Sequence, residues 1–178
     1  FSLRRLYEIS PLGLVGAAIT GLILGAFYGL GAVYAQRLGL GLSQTAAFMS
    51  AVIAGGVALQ WPLGWLSDRF DRRRVIVAVF AGAAVVAGVL AVAGTPGAGL
   101  LMMGGLFGGL SFALYPLCVA HTNDHVTPDD RVGASAGLVL VYSVGAVSGP
   151  LAAAAVLSVL GAPGLFAFIA ACATLALA

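Results

Sequence analysis

The sequence predicts an all-α integral membrane protein, a bundle of six transmembrane helices. Two compositional observations and one pattern predict this class. Hydrophobic residues make up 61% of the 178 positions and charged residues only 8%, and long apolar runs alternate with short polar connectors. A soluble domain carries about 25% charged residues, so this chain is too poor in charge to cover a globular surface in water. All eight basic residues are Arg and the net charge is only +2, so we expect no nucleic-acid partner.

Six apolar runs approach or exceed the length of about 20 residues that a bilayer-spanning helix needs. In order they are 11–35, 44–66, 75–94, 98–121, 132–160 and 162–178. No long linker divides them, so residues 11–178 are predicted to form one six-helix domain.

Residues 1–10 are too short to span a membrane. Leu3, Leu6 and Tyr7 fall on one helical face, which suits a short amphipathic helix lying at the inner interface of the membrane. The chain begins with Phe1 and its last apolar run is still apolar at Ala178. We therefore expect a piece of a longer protein, truncated at both ends.

The arginines predict the orientation of the helices. Seven of the eight fall in segments that lie on one side of a six-helix topology, namely Arg4, Arg5, Arg69, Arg72, Arg73, Arg74 and Arg131. Only Arg37 lies on the other side. Basic residues accumulate on the cytoplasmic side of membrane proteins. This bias predicts a multi-pass protein of the inner (plasma) membrane with both chain ends cytoplasmic.

Small residues recur four positions apart along three of the predicted helices. The repeats are Gly21/Gly25/Gly29, Gly104/Gly108, Gly105/Gly109, Gly133/Gly137 and Gly145/Gly149. Such spacing lets helix backbones approach closely in a membrane. We expect these faces to be sites of plain helix–helix packing.

The connector after the second run contains the most informative motif, Gly-Trp-Leu-Ser-Asp-Arg-Phe-Asp-Arg-Arg-Arg at positions 64–74. It resembles the major facilitator superfamily signature G-x-L-[SA]-D-R-x-G-R-[RK], which lies between the second and third helices of each six-helix half. The chain departs from it at Asp71, where the family has a second Gly, although Asp tolerates tight turns better than most residues. The Asp68 carboxylate can bind arginines and the positive N-terminus of a neighbouring helix. The resemblance implies a latch between the two halves of a transporter, made by Gly64, Asp68, Arg69, Arg72 and Arg73.

A second stretch supports the same family. Gly145, Gly149 and Pro150 resemble the G-x-x-x-G-P of the family's antiporter-type motif, in which a Gly-Pro pair allows the helix to bend. Here the motif would lie in the C-terminal half, so it does not make the protein an antiporter. Across nearly the whole chain, the residues at 10–13, 48–50, 60–62 and 115–124 resemble the YcaD-like branch of the superfamily. That resemblance implies helices seven to twelve of an inner-membrane transporter whose substrate is not established.

The resemblance implies a secondary active transporter that moves a small solute by alternating access, without catalysis or a cofactor. Its expected partners are membrane lipid, the N-terminal six-helix half of the same polypeptide and an unknown small-molecule substrate. No charged residue or His lies near the middle of any predicted span, so any proton-coupling group is expected in the absent half. The polar candidates for lining a cavity are Tyr28, Gln60, Ser111, Tyr115, Tyr142 and Ser143, which suggest a neutral or amphipathic substrate.

Three other functions remain open. The chain could be a complete six-helix protein that acts as a homodimer, or a structural membrane subunit. The third alternative is an intramembrane serine hydrolase that uses Ser135. Gly133-x-Ser135-x-Gly137, with His121 and His125 upstream, matches the G-x-S-x-G of hydrolases, but that elbow needs a strand-to-helix turn. The two His residues are four apart, yet they lack the Glu of H-E-x-x-H and a clear third ligand, so we expect no metal site.

Overall fold

A computed structural model describes all 178 residues and consists of helices joined by short connectors. The helices are α1 (Leu3–Ile9), α2 (Pro11–Arg37), α3 (Leu42–Arg69), α4 (Arg72–Ala93), α5 (Ala98–Asn123), α6 (Arg131–Leu160) and α7 (Pro163–Leu175), with a 3₁₀ turn at Pro128–Asp130 before α6. The predicted all-helical membrane bundle is confirmed. Helices α2 to α6 are long and apolar enough to cross a bilayer. Helix α7 has 13 residues, or about 20 Å of helix, so the sixth predicted run forms a shorter apolar helix.

The bundle is organised as two helix pairs and an outer layer. Helix α2 packs along α6, α3 packs along α5, and α4 lies against α5 and α7. The largest buried side chains are aromatic and meet where α2, α3, α5 and α7 converge, among them Phe27, Phe48, Phe107 and Phe166. The buried Tyr34 hydroxyl donates to the Leu90 carbonyl at 3.2 Å, so the one polar atom of this side chain is satisfied in the core.

Four of the five glycine repeats lie in the α2–α6 and α3–α5 helix pairs, as the packing interpretation expected. In the α2–α6 pair, a Cβ on Gly25 would overlap the backbone of Ala146, and one on Gly149 would overlap the Leu22 carbonyl. In the α3–α5 pair, a Cβ on Gly55 would overlap the Gly105 carbonyl. These helices can approach this closely only because the side chains are absent.

Gly145, Gly149 and Pro150, the expected site of a bend in α6, all contact α2. Both glycines face α2, and Pro150 packs with its ring against Gly29. Helix α6 continues without interruption through Pro150. The motif therefore serves the contact with α2 in this conformation.

Leu6 is the buried apolar contact between helix α1 and the bundle. Leu6 is fully buried in a small cluster with Ala17, Ala134 and Leu138, and Arg5 pairs with Asp130 at 3.0 Å. Of the three apolar residues predicted to share a face, only Leu6 is buried, whereas Leu3 and Tyr7 are exposed. Phe1 and Leu6 instead lie over Gly133 and Gly137, so this glycine repeat accommodates α1.

The two ends of the bundle differ in charge as the arginine distribution predicted. Arg5 and Arg72 form ion pairs with Asp130 and Asp124, which places the basic segments together at one end. Arg37 lies at the other end, where its guanidinium donates to the Leu157 carbonyl near the end of α6 at 3.3 Å.

Candidate functional site

Arg72 is the centre of a charged cluster that joins three helices. Its Nη2 donates to Asp68 at 2.8 Å at the end of α3, and its Nε donates to Asp124 at 2.9 Å, just after α5. Its Nη1 donates to the Ser67 hydroxyl at 3.0 Å, and that hydroxyl donates to the Gly64 carbonyl at 2.8 Å. All three nitrogens of one guanidinium therefore have different partners. The side chain of Arg72 is only 18% exposed, so it is fixed in place between α3, α4 and α5.

The connector between α3 and α4 explains how these groups meet. Helix α3 ends with the Phe70 N–H bonded to the Leu66 carbonyl at 3.0 Å, and α4 begins only two residues later. Asp71 is the N-cap of α4, and its side chain accepts a hydrogen bond from the Arg73 backbone N–H at 3.1 Å. A connector this short places Asp68 and Arg72 on opposite sides of the turn, within reach of each other.

The structure adds detail to two sequence interpretations of this loop. Asp71 was expected to tolerate a tight turn in place of Gly, but its φ is −58°, a conformation that any residue adopts. The advantage of Asp here is the N-cap, which Gly cannot provide with a side chain. Asp68 pairs with Arg72, as expected of a carboxylate that binds arginines, while Asp71 caps the N-terminus of α4. Binding of Asp68 to a helix of an N-terminal half stays a prediction.

The other motif residues have separate environments. The Arg69 guanidinium lies over the Trp65 ring, 4.4 Å from its centroid, and Arg73 makes no side-chain hydrogen bond or ion pair. A Cβ added to Gly64 would meet no atom within 4 Å. Packing within the chain therefore does not require glycine at this position.

Asp124 is the member of the cluster that the motif did not identify. It lies in the His-Thr-Asn-Asp-His segment, 52 residues from Arg72. The available signal was an acid after a predicted helix, on the same side of the membrane as the arginine-rich connector. That signal predicts the side of the membrane on which Asp124 lies but not which residue it contacts, because sequence spacing does not determine which helix ends are adjacent.

Neither His121 nor His125 is hydrogen-bonded to Ser135. The His121 and His125 rings lie 4.6 Å apart, and His125 Nδ1 is bonded to the His121 carbonyl at 2.7 Å. Both line a cleft of about 710 Å³ that opens at the basic end of the bundle beside Arg72 and Arg73. Ser135 lies within the continuous helix α6 and has no strand-to-helix turn beneath it, so the geometry of a hydrolase elbow is absent.

Three of the six candidate cavity residues lie in aromatic contacts between α2, α5 and α6. Tyr28 of α2 is 5.8 Å from Phe112 of α5, and Tyr115 of α5 is 4.8 Å from Tyr142 of α6, measured between ring centroids. Tyr28 is 56% exposed, and Tyr115 and Tyr142 are partly buried. We call Tyr28, Phe112, Tyr115 and Tyr142 the aromatic face. It is a surface of the bundle that other side chains of the chain leave partly uncovered.

The remaining three candidates differ from one another. Gln60 is exposed on α3 and is free to bind a ligand or a partner helix. Ser143 is exposed, but its hydroxyl donates to the Val139 carbonyl of its own helix at 2.8 Å. Ser111 is fully buried, with no hydrogen-bond partner for its hydroxyl. It therefore does not line an open surface in this conformation.

Comparison of the amino-acid sequence with known proteins identifies relatives of this chain. The sequence model of the Major Facilitator Superfamily matches residues 12–178. The uncharacterised MFS-type transporter YcaD of Escherichia fergusonii is 31% identical over 140 residues, which cover 78% of the chain and 35% of the relative. Uncharacterised MFS-type transporters of Enterobacter sp. strain 638 and Yersinia enterocolitica are 33% and 30% identical over the same shares. The aligned part of the chain thus spans about a third of the length of these relatives, which are named as transporters rather than enzymes.

Proposed function

This chain belongs to the major facilitator superfamily, a family of membrane transporters, and from that membership we propose that it is the C-terminal six-helix half of a secondary transporter. The transporter would move a small solute by alternating access, with the solute bound between this half and an N-terminal half of the same polypeptide. The proposal places the protein in the inner membrane with the arginine-rich end in the cytoplasm. No catalysis and no cofactor are part of it.

The observation that carries the proposal is the aromatic face. Helices α2, α5 and α6 present Tyr28, Tyr115 and Tyr142 together, and Gln60 of α3 is exposed as well. Helices α3 and α6 are the least buried of the long helices. In transporters built from repeats, the substrate site lies near the midplane of the membrane at the interface of the two repeats. A second half over this face would enclose an aromatic site with few charges, which suits a neutral or amphipathic solute.

The charged cluster supports the same arrangement. Gly64 is open within the chain, although glycine matters most where another backbone approaches closely. We propose that a helix of the N-terminal half packs against Gly64 and that Asp68, which is 69% exposed, binds that helix in one conformation. The Arg72 ion pairs would then hold the ends of α3 and α5 in position for this contact.

A homodimer of the 178-residue chain is the alternative that the same face favours, because a second copy could also cover it. The length of the relatives favours a single polypeptide with two different halves. Disulfide cross-linking decides between them. If the N-terminal half covers the face, the variant Tyr28→Cys should form no disulfide between the cysteines at position 28 of two copies.

Solute flux tests the function itself. The full-length protein, reconstituted in liposomes, should move at least one solute from a panel of labelled neutral and amphipathic compounds. Two preparations serve as controls: protein-free liposomes and liposomes with the 178-residue chain alone. Flux by the chain alone at the full-length rate would contradict the two-half arrangement. If the full-length protein moved no solute from a panel that includes neutral and amphipathic compounds, the proposed substrate class would be contradicted.

A further inference from the structure

A groove of about 380 Å³ opens on the surface where α3 ends and α4 begins. Its walls are apolar and come from α3, α4 and one residue of α5, chiefly Leu63, Leu66, Val75, Ala78, Val79 and Leu110. Its polar lining residues, Asp71 and Arg74, lie where α4 begins. The groove therefore combines an apolar interior with a charged mouth.

A second cleft adjoins the first around Arg74. It has a volume of about 480 Å³ and is lined by Asp71, Arg73 and Arg74 together with Val77, Ala78 and Ala81 of α4. Asp71, Arg74 and Ala78 line both clefts. The two arginines thus lie at the entrance to a continuous apolar surface along the first turns of α4.

The charges at this entrance do not balance. Arg73 has no acidic partner, and Arg74 reaches Asp71 only at 3.5 Å, with the side chains 88% and 57% exposed. An ion pair this exposed is weak, and the Asp71 carboxylate also caps α4. Arg72 is bound by Asp68 and Asp124, and the one surplus negative charge of that cluster is offset by Arg69 at the end of α3. One carboxylate against two guanidinium groups leaves a net positive charge at the mouth of the groove.

The dimensions of the groove suit part of a lipid chain. Along α3 it runs from Phe70 back to Leu63, which is about 10 Å of helix. The exposed side chains further along α4 are apolar, including Val77, Val85 and Val92, as expected of a helix that faces lipid. Arginines at a helix end place their charges at the membrane surface while their stems lie along apolar groups. The groove would then lead from the headgroup region into the hydrocarbon layer.

We propose that this α3–α4 groove binds an anionic phospholipid, with its phosphate held by Arg73 and Arg74 and one acyl chain lying along Leu63, Leu66 and Ala78. A phosphate accepts hydrogen bonds from guanidinium groups in well-matched geometry. The net positive charge favours an anionic over a zwitterionic headgroup. The proposal requires only that the chain lies in a membrane and does not depend on which solute is transported.

Native mass spectrometry of the full-length protein in detergent tests this directly. The probe is an equimolar mixture of phosphatidylglycerol and phosphatidylcholine with identical acyl chains. We expect preferential retention of phosphatidylglycerol, and this preference should fall about fivefold for each of the changes Arg73→Gln and Arg74→Gln, since a basic residue near an anionic membrane surface contributes about 1 kcal/mol. Arg4→Gln with Arg131→Gln is the matched control, because both arginines lie at the same end of the bundle and outside the groove. That control should keep the preference.

A second variant tests the apolar part of the site. Ala78→Trp fills the groove and keeps both arginines, so it should reduce retention of both lipids. Equal retention of the two lipids by the parent protein, or an unchanged preference after Arg73→Gln with Arg74→Gln, would overturn the proposal. Protection against thermal unfolding by millimolar inorganic phosphate equal to that by phosphatidylglycerol would also overturn it, because the acyl chain would then contribute nothing.

Discussion

Replacement of Arg72 by Lys keeps the positive charge at the end of the bundle but removes the planar group that reaches three partners. The guanidinium donates from Nε, Nη1 and Nη2 to Asp124, Ser67 and Asp68. A single ammonium nitrogen cannot occupy those three positions at once. Arg72→Lys should therefore keep one contact, most simply with Asp68 four residues away, and lose the link to α5.

The size of the effect follows from the exposure of the partners. Asp68 and Asp124 have side chains that are 69% and 53% exposed, whereas that of Arg72 is 18% exposed. A hydrogen bond to a charged group contributes about 1.5–3 kcal/mol, and a solvent-exposed ion pair about 0.2–1 kcal/mol. With two partly screened pairs and one bond to Ser67, we expect Arg72→Lys to lower the free energy of unfolding by about 1–2 kcal/mol.

The matched control for this change is Arg73→Lys in the adjacent residue. Its side chain has no bonded partner, and surface substitutions of this kind usually change stability by less than about 0.5 kcal/mol. Stability is measured by sodium dodecyl sulfate titration of the protein in mixed micelles, followed by tryptophan fluorescence. Asp124→Asn and Asp68→Asn should be non-additive in the same assay, because both act through Arg72. Equal effects of Arg72→Lys and Arg73→Lys would refute the three-helix cluster.

The remaining predictions concern topology, helix packing and the motif. In a protein without native cysteines, cysteines at positions 37 and 72 should react with an impermeant thiol reagent from opposite faces of the membrane; labelling from the same face would contradict the alternation of the helices. Gly25→Leu should destabilise the protein by at least about 1–3 kcal/mol because its side chain would meet the backbone of Ala146, whereas Gly88→Leu, at a position with open space, should have little effect on the same unfolding titration. Asp68→Asn should greatly reduce transport by the full-length protein with a nearly normal amount in the membrane, and Asp71→Asn should do much less since Asn is an equally good N-cap; equal, mild losses of flux would mean that the connector only anchors the orientation.

The local features of the fold could be read from the sequence because they depend on composition and spacing. A long apolar run between polar connectors is sufficient for a membrane helix, so α2 to α6 lie close to their predicted bounds. The last predicted run, 162–178, is helical only over Pro163–Leu175. Gly161 and Pro163 end one helix and start another, and residues 176–178 lie outside the helix.

The contacts between distant segments could not be predicted. Gly25 and Gly149 each belong to a glycine repeat with the spacing of a packing face, but neither repeat predicts that α2 pairs with α6. The ion pair of Arg72 with Asp124 depends on the same unknown, the order of helices around the bundle. The environment of a single polar residue could not be predicted either. Ser111 was a candidate for lining a cavity because it is polar, but its position in α5 buries it completely.

Access to Tyr28 from the two sides of the membrane tests alternating access most directly. The full-length transporter without Cys118 and Cys172 would carry Tyr28→Cys, with Val85→Cys on the lipid-facing side of α4 as the control. We predict that an impermeant thiol reagent modifies the cysteine at position 28 both from the outside of cells and from the cytoplasmic side in inverted vesicles, while position 85 stays unmodified from either side. Reaction at position 28 from one side only, or from neither, would contradict alternating access at the aromatic face.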